Sequence, residues 1–137
     1  MSDLRIIRPR ERDRGTAQTP GMEREAGVSG PTSGATGVWM GEVRTAPGFR
    51  TGAHHHGDVE SGIYVVSGTL RMRWGERLEH EADARAGDFI FVPTRLVHQE
   101  INLSETEPVV VIVARGGDNV VVNVEMAEAA AGREEGR

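Results

Sequence analysis

The 137-residue chain contains no cysteine. That excludes disulfides and thiolate metal ligands, and leaves histidine and carboxylate as the side chains able to hold an ion. Aromatic residues make up 4% of the chain and apolar residues 37%, so a modest core is expected. No apolar run approaches the ~20 residues needed to span a bilayer. The first residues, Met-Ser-Asp-Leu-Arg, lack an apolar signal core. A soluble, cytoplasmic protein with no membrane partner is the expectation. A basic excess is also missing: the formal net charge is −5, which argues against nucleic acid as a partner. Glycine, by contrast, is abundant at 18 residues, and it favours turns and short strands over long helices.

The length suits one domain. Residues 1–37 read as an N-terminal arm, 38–124 as the body and 125–137 as a tail. Within the arm, Leu4–Arg8 and Met22–Ala26 are candidate edge strands. Arg8, Arg10, Arg12 and Arg14 alternate with Glu11 and Asp13, a nearly balanced run that reads as solvated. Such an arm wraps its own domain, swaps onto a partner or stays loose. The body begins with a strand over Val38–Thr45, ended by Pro47-Gly48. Ile63–Val66 is a continuous apolar run, as in a strand buried on both faces. Ser67-Gly68 has hairpin-turn chemistry. Thr69–Trp74 alternates, with Leu70, Met72 and Trp74 on one face and Arg71 and Arg73 on the other. Further strands are expected at Arg77–Glu81, Phe89–Val92, Val97–Leu103, Val109–Ala114 and Val120–Val124. Met126–Arg137, rich in Ala and Glu, reads as a frayed helix or disorder. Nine or ten short strands without an interior helix pattern predict an all-β antiparallel sandwich or barrel.

The chemistry concentrates in residues 48–68. Residues two apart on a strand share a face, ~6–7 Å apart at the backbone, so His54 and His56 can lean onto one ion while His55 points away. Glu60 would lie ~13 Å further along a straight strand, so a bend at Gly57-Asp58 has to return it. Asp58 is the reserve carboxylate, and His98 completes a three-histidine, one-glutamate set. Such ligands suit Fe(II), Mn(II), Ni(II), Zn(II) or Cu(II) better than Ca²⁺.

A second stretch strengthens this reading. Gly48, His54, His56, Glu60 and Gly68, followed by Gly87, Pro93, His98 and Asn102, resemble the two motifs of the cupin superfamily. Two departures stand out. Seven residues separate Glu60 from Gly68 where the family has six, which calls for a bulge, expected at Ser61-Gly62. Arg95 stands where the family usually has Gly, suggesting a turn there that is not left-handed, or is rearranged.

The resemblance implies a single-domain jelly-roll β-barrel (a double-stranded β-helix) over residues 38–124. It implies one divalent transition metal ion (Fe, Mn, Zn or Ni) held by the residues matching His54, His56, Glu60 and His98. The strand bearing His98 is then expected beside the one bearing His54 and His56. A homodimer is also implied, with the 9–37 arm packing across the partner. By parity, Met72, Trp74 and Leu70 line the pocket, and Glu100 and Asn102 share the face of His98. Glu100 and Tyr64 are the candidate catalytic residues, set against a solvated rim position for Glu100 and core packing for Tyr64. His80 reads as exposed. Three functions fit a small-molecule substrate or ligand: a non-haem metal dioxygenase, a metal-dependent isomerase or lyase, and a binding module without turnover.

Overall fold

A computed structural model describes residues 3–126 and 132–133. Alternation of apolar and polar residues dictates most of the architecture, because one face of each strand must be buried. The strands are β1 (Met22–Val28), β2 (Trp39–Thr45), β3 (Phe49–Arg50), β4 (His54–His55), β5 (Ser61–Ser67), β6 (Thr69–Trp74), β7 (His80–Arg85), β8 (Phe89–Val92), β9 (His98–Asn102), β10 (Val109–Arg115), β11 (Val122–Asn123) and β12 (Gly132–Arg133). A single helical turn, α1 (Gly30–Ser33), follows β1 and is capped by the Ser29 hydroxyl.

The strands form two antiparallel sheets, so the chain is all-β, as expected for a jelly roll. The first runs β1-β2-β10-β5-β8. In the second, β9 pairs with β6 on one side and with both β3 and β4 on the other; β7 extends β6, while β12 and β11 flank β3 and β4. The inward residues of both sheets, among them Trp39, Val43, Val65, Leu70 and Val111, make one apolar core. A smaller cluster joins Ala53 and Leu78 with Val97 and Val124.

The arm contributes directly to this framework. β1 is an edge strand of the first sheet. The segment before it is tied down by Arg24, whose guanidinium donates to the Ala17 carbonyl and the Thr19 hydroxyl. Asn119 donates to Thr16 and Ala17. The Gly52 amide donates to the Pro20 carbonyl, linking the arm to the turn between β3 and β4.

Several expectations are corrected. Leu4–Arg8 is not a strand, and Leu4 and Ile6 are exposed. β5 is buried on one face only: Ile63 and Val65 point inward while Tyr64 and Val66 are 39% and 46% exposed. Apolar side chains on both faces made that run look fully buried. Ser67-Gly68 is not a hairpin, because β5 and β6 belong to different sheets. It is a corner, with Gly68 at φ +88° and packed against the Pro108 carbonyl. The bulge expected at Ser61-Gly62 lies instead between Val65 and Ser67, where the pairing of β5 with β10 shifts. The strand expected from Arg77 starts only at His80, because Leu78 takes a left-handed φ of +53° and buries its side chain in the smaller cluster. The last expected strand is shortened to Val122–Asn123. In the tail, Gly132–Arg133 pairs with Phe49–Arg50 rather than forming a helix; residues 127–131 and 134–137 lie outside the described residues.

Candidate metal centre

β4 and β9 run antiparallel with His54 directly opposite His98. His56 follows two residues after His54, so its ring returns to the same face. The three rings meet in the interior: His54 to His98 centroids are 4.3 Å apart, and His56 is 5.1 Å from each. One donor atom from each of the three lies within 4.8 Å of the others, and all three residues are buried.

Backbone carbonyls set the tautomers. The Nδ1 of His54 lies 2.8 Å from the Gly52 oxygen, that of His56 2.7 Å from the Val120 oxygen, and that of His98 2.9 Å from the Leu96 oxygen. A carbonyl only accepts, so each Nδ1 carries the proton and donates it. At His56 and His98, whose rings burial holds neutral, the Nε2 is then an unprotonated lone pair. That of His54 is fully buried with no hydrogen-bond partner. A buried ring nitrogen without a partner is costly unless it meets a cation. The donor set thus fits a transition ion, which takes neutral imidazole nitrogen readily.

The surroundings keep the His56 and His98 rings neutral. Burial above all, then the Arg115 cation and the other two imidazoles, push His56 down to about 2. Burial, with the neighbouring His54, pushes His98 down to about 4. Glu100 lies two residues beyond His98 on the same face, and its Oε2 is 3.6 Å from the Nε2 of His54. Burial works to raise its carboxyl, but its contact with His54 and the nearby Arg24 cation outweigh that and hold it at about 2. Arg24 and Arg115 are themselves almost fully buried. Burial lowers them to about 10 and about 9, opposed by Glu100, so both remain cations at neutral pH.

Of the residues singled out in the sequence, His54, His56 and His98 come together and Glu100 stands beside them. Glu60 does not join them. It is exposed at the entrance to β5, because the inward parity of β5 runs Ser61, Ile63, Val65. The position facing the interior is Ser61, 2% exposed, whose hydroxyl accepts a hydrogen bond from Arg115. Counting four residues rather than three after His56 puts Ser61 at the motif's carboxylate position and leaves six before Gly68. The alternation of Ile63 and Val65 held this signal.

Tyr64 is likewise outside the site, packed on the outer face against Phe89. Asp58 pairs with Arg95 at 2.7 Å on the surface. Arg95 does adopt the left-handed backbone, φ +59°, contrary to expectation. His55 is half-buried and accepts the Gly57 amide. His80 is exposed and stacks on Trp74. The sequence reading did not single out Arg24 and Arg115, because an arginine on a strand gives no sign of facing inward.

Next to His98 a cleft of about 690 Å³ opens between β7 and β8, each an edge strand of its sheet. Met72, Trp74, Ile90, Val92 and Leu96 are among its walls.

A family profile described as "Cupin domain" matches residues 41–115. Among curated proteins, none matches the chain in sequence. Among solved structures, an oxalate decarboxylase studied for its substrate binding mode superposes with a TM-score of 0.68 at 22% identity, over 88% of this chain and 31% of that one. The Bacillus subtilis oxalate decarboxylase S161A mutant gives 0.66 at 21% identity, over 80% and 29%. An oxalate oxidase gives 0.67 at 23% identity, over 80% and 58%. The chain therefore spans under two thirds of the length of each of these structures, and the likeness is one of fold.

Proposed function

The chain belongs to the cupin superfamily, and from that premise we propose that it is a metal-dependent enzyme acting on a small organic substrate. His54, His56 and His98 hold one divalent transition ion (Fe, Mn, Zn or Ni), with Glu100 as the carboxylate completing the set. The observation that carries this reading is the convergence of three buried imidazoles, each oriented from behind by a backbone carbonyl on its Nδ1. When bound, such an ion supplies a Lewis acid and open positions for substrate or O₂.

The protein's own residues do the rest. The Gly52, Val120 and Leu96 carbonyls orient the rings and raise their basicity. Glu100 is ionised across the neutral range and, held near 2, is a weak proton acceptor there. Its part is to compensate charge and bind the ion rather than to act as a general base. Met72 and Trp74 lie opposite Glu100 and His98 across the β6–β9 pairing and help exclude bulk water from the ion.

Oxidation by O₂, as in a non-haem dioxygenase, is the reaction we assign. Elemental analysis of purified protein, with oxygen uptake in the presence of candidate substrates, tests both parts. Bound iron with oxygen consumption is expected. Bound Zn(II) or Mn(II) with turnover independent of O₂ would replace oxidation by Lewis-acid isomerase or lyase chemistry. Metal retained at full occupancy in Glu100→Gln, with turnover lost, would move Glu100 from ligand to proton transfer.

A further inference from the structure

Charge and shape around the centre restrict what can reach it. Within the interior, Arg24 and Arg115 are cations, and among the described residues Glu100 is the one carboxylate facing the histidines. Adding a divalent ion leaves this interior positive, which favours an anionic group at the ion. The approach is different in character. Among the described residues no lysine or arginine lines the cleft leading to His98; of its acidic lining residues, Asp83 turns its carboxylate to an ion pair with Arg71, which leaves Asp88. The remaining walls are chiefly apolar, from Met72 and Trp74 of β6, Ile90 and Val92 of β8, and Leu96. A volume of about 690 Å³ lies in the range of pockets that enclose drug-sized molecules, roughly 300–1,000 Å³. A six-atom dianion such as oxalate would leave nearly all of it filled with water against apolar walls.

Resting on the metal reading above, we propose that the substrate is a mono-anionic chelator with an aromatic or branched aliphatic body. Its paired oxygens face the centre, and the body fills the cleft between β7 and β8. Selectivity comes from the match of apolar surface along Trp74, Ile90 and Leu96, and the Asp88 carboxylate disfavours a second negative charge on the body.

The test uses the full chain loaded with Co(II), whose visible spectrum reports donor binding at the ion. Three probes are titrated by calorimetry: phenylpyruvate, pyruvate and oxalate. The first two share one chelating head and differ by a phenyl group. Burying that group is expected to make phenylpyruvate bind roughly tenfold to a hundredfold tighter than pyruvate, with oxalate no tighter than pyruvate. Ala82, which faces the cleft opposite Met72 on β7, is exposed, so Ala82→Phe narrows the cleft without touching the core. It is expected to abolish the phenylpyruvate advantage while Co(II) content stays unchanged; Ala82→Leu should do so in part. Equal binding of all three probes, or tightest binding of oxalate, with Co(II) bound normally, would overturn the apolar-bodied substrate and leave the metal reading standing. Failure of the wild-type chain to bind Co(II) would overturn both.

Discussion

Each of the three histidines spends one nitrogen on a backbone carbonyl and keeps the other for the interior. Spacing and motif in the sequence made all three legible. The carboxylate was misplaced because its position depends on strand parity, and one residue of slip exchanges the two faces. Ser61 faces inward and Glu60 outward; Glu100 supplies the interior charge from β9 instead. Glu100→Gln should therefore weaken metal affinity by about tenfold or more, whereas Glu60→Gln should leave it unchanged; competition with a chromophoric chelator measures both. A larger loss in Glu60→Gln would reverse the assignment.

The same buried groups give the metal-free chain a defined pH response. Both His56 and His98 are depressed from an ordinary value of 6.5, so the unfolded chain takes up their protons before the folded one does. Stability is fully present above about pH 6.5. It falls as the pH drops, by up to about 1.4 kcal/mol per pH unit for each ring, and the loss from His98 levels off near pH 4. Glu100, depressed from 4.5, adds a loss of the same sign below that value. Urea denaturation of the chelator-treated protein between pH 8 and 5 should show a falling midpoint. A flat profile would mean that the rings are not held neutral by the fold.

Among the elements, β9 carries the most. It is buried throughout and presents His98, Glu100 and Asn102 on one face. Asn102 is fully buried and joins three segments, donating to the carbonyls of Thr45, Ala46 and Glu107 and accepting from the Ser104 amide. Asn102→Ala leaves several of these groups without partners and should cost on the order of 2–3 kcal/mol. The loss should appear in denaturant midpoints, while metal affinity of the folded fraction is retained. Loss of affinity without loss of stability would instead place Asn102 at the ion. Strand order and most boundaries were legible from alternation and turn residues. The corner at Ser67-Gly68 was not, since a tight hairpin and a step between sheets use the same residues; only pairing partners separate them. The left-handed Leu78 and Arg95 were equally hidden, because tertiary contacts and not local preference fix those angles.

In the whole molecule, two sheets close around a polar centre with an apolar core on one side and an apolar cleft on the other. No helix among the described residues is long and apolar enough to cross a membrane. The arm is part of this enclosure, since Arg24 of β1 faces the interior and is held by Ala17 and Thr19. The sequence marked Arg8 to Arg14 as a solvated run and Met22–Ala26 as a candidate edge strand, and neither reading tells that Arg24 turns inward. Because the proposed ion would join residues on β4 and β9 and the segment between β4 and β5, its binding should stabilise the folded chain as a whole. At free metal a thousandfold above Kd the gain is about 4 kcal/mol, and a chelator should lower Tm correspondingly in calorimetric scans.

The central claim is that one ion is held by His54, His56 and His98 together. Its most direct test is metal stoichiometry, measured by elemental analysis after loading and desalting, in the wild-type chain and in each single histidine-to-alanine variant. One equivalent per chain is predicted for the wild type, falling to near zero in His54→Ala, His56→Ala and His98→Ala but retained in His80→Ala. A wild-type chain that binds no metal when amply supplied, or one whose content is unaffected by loss of these three imidazoles, would contradict the account.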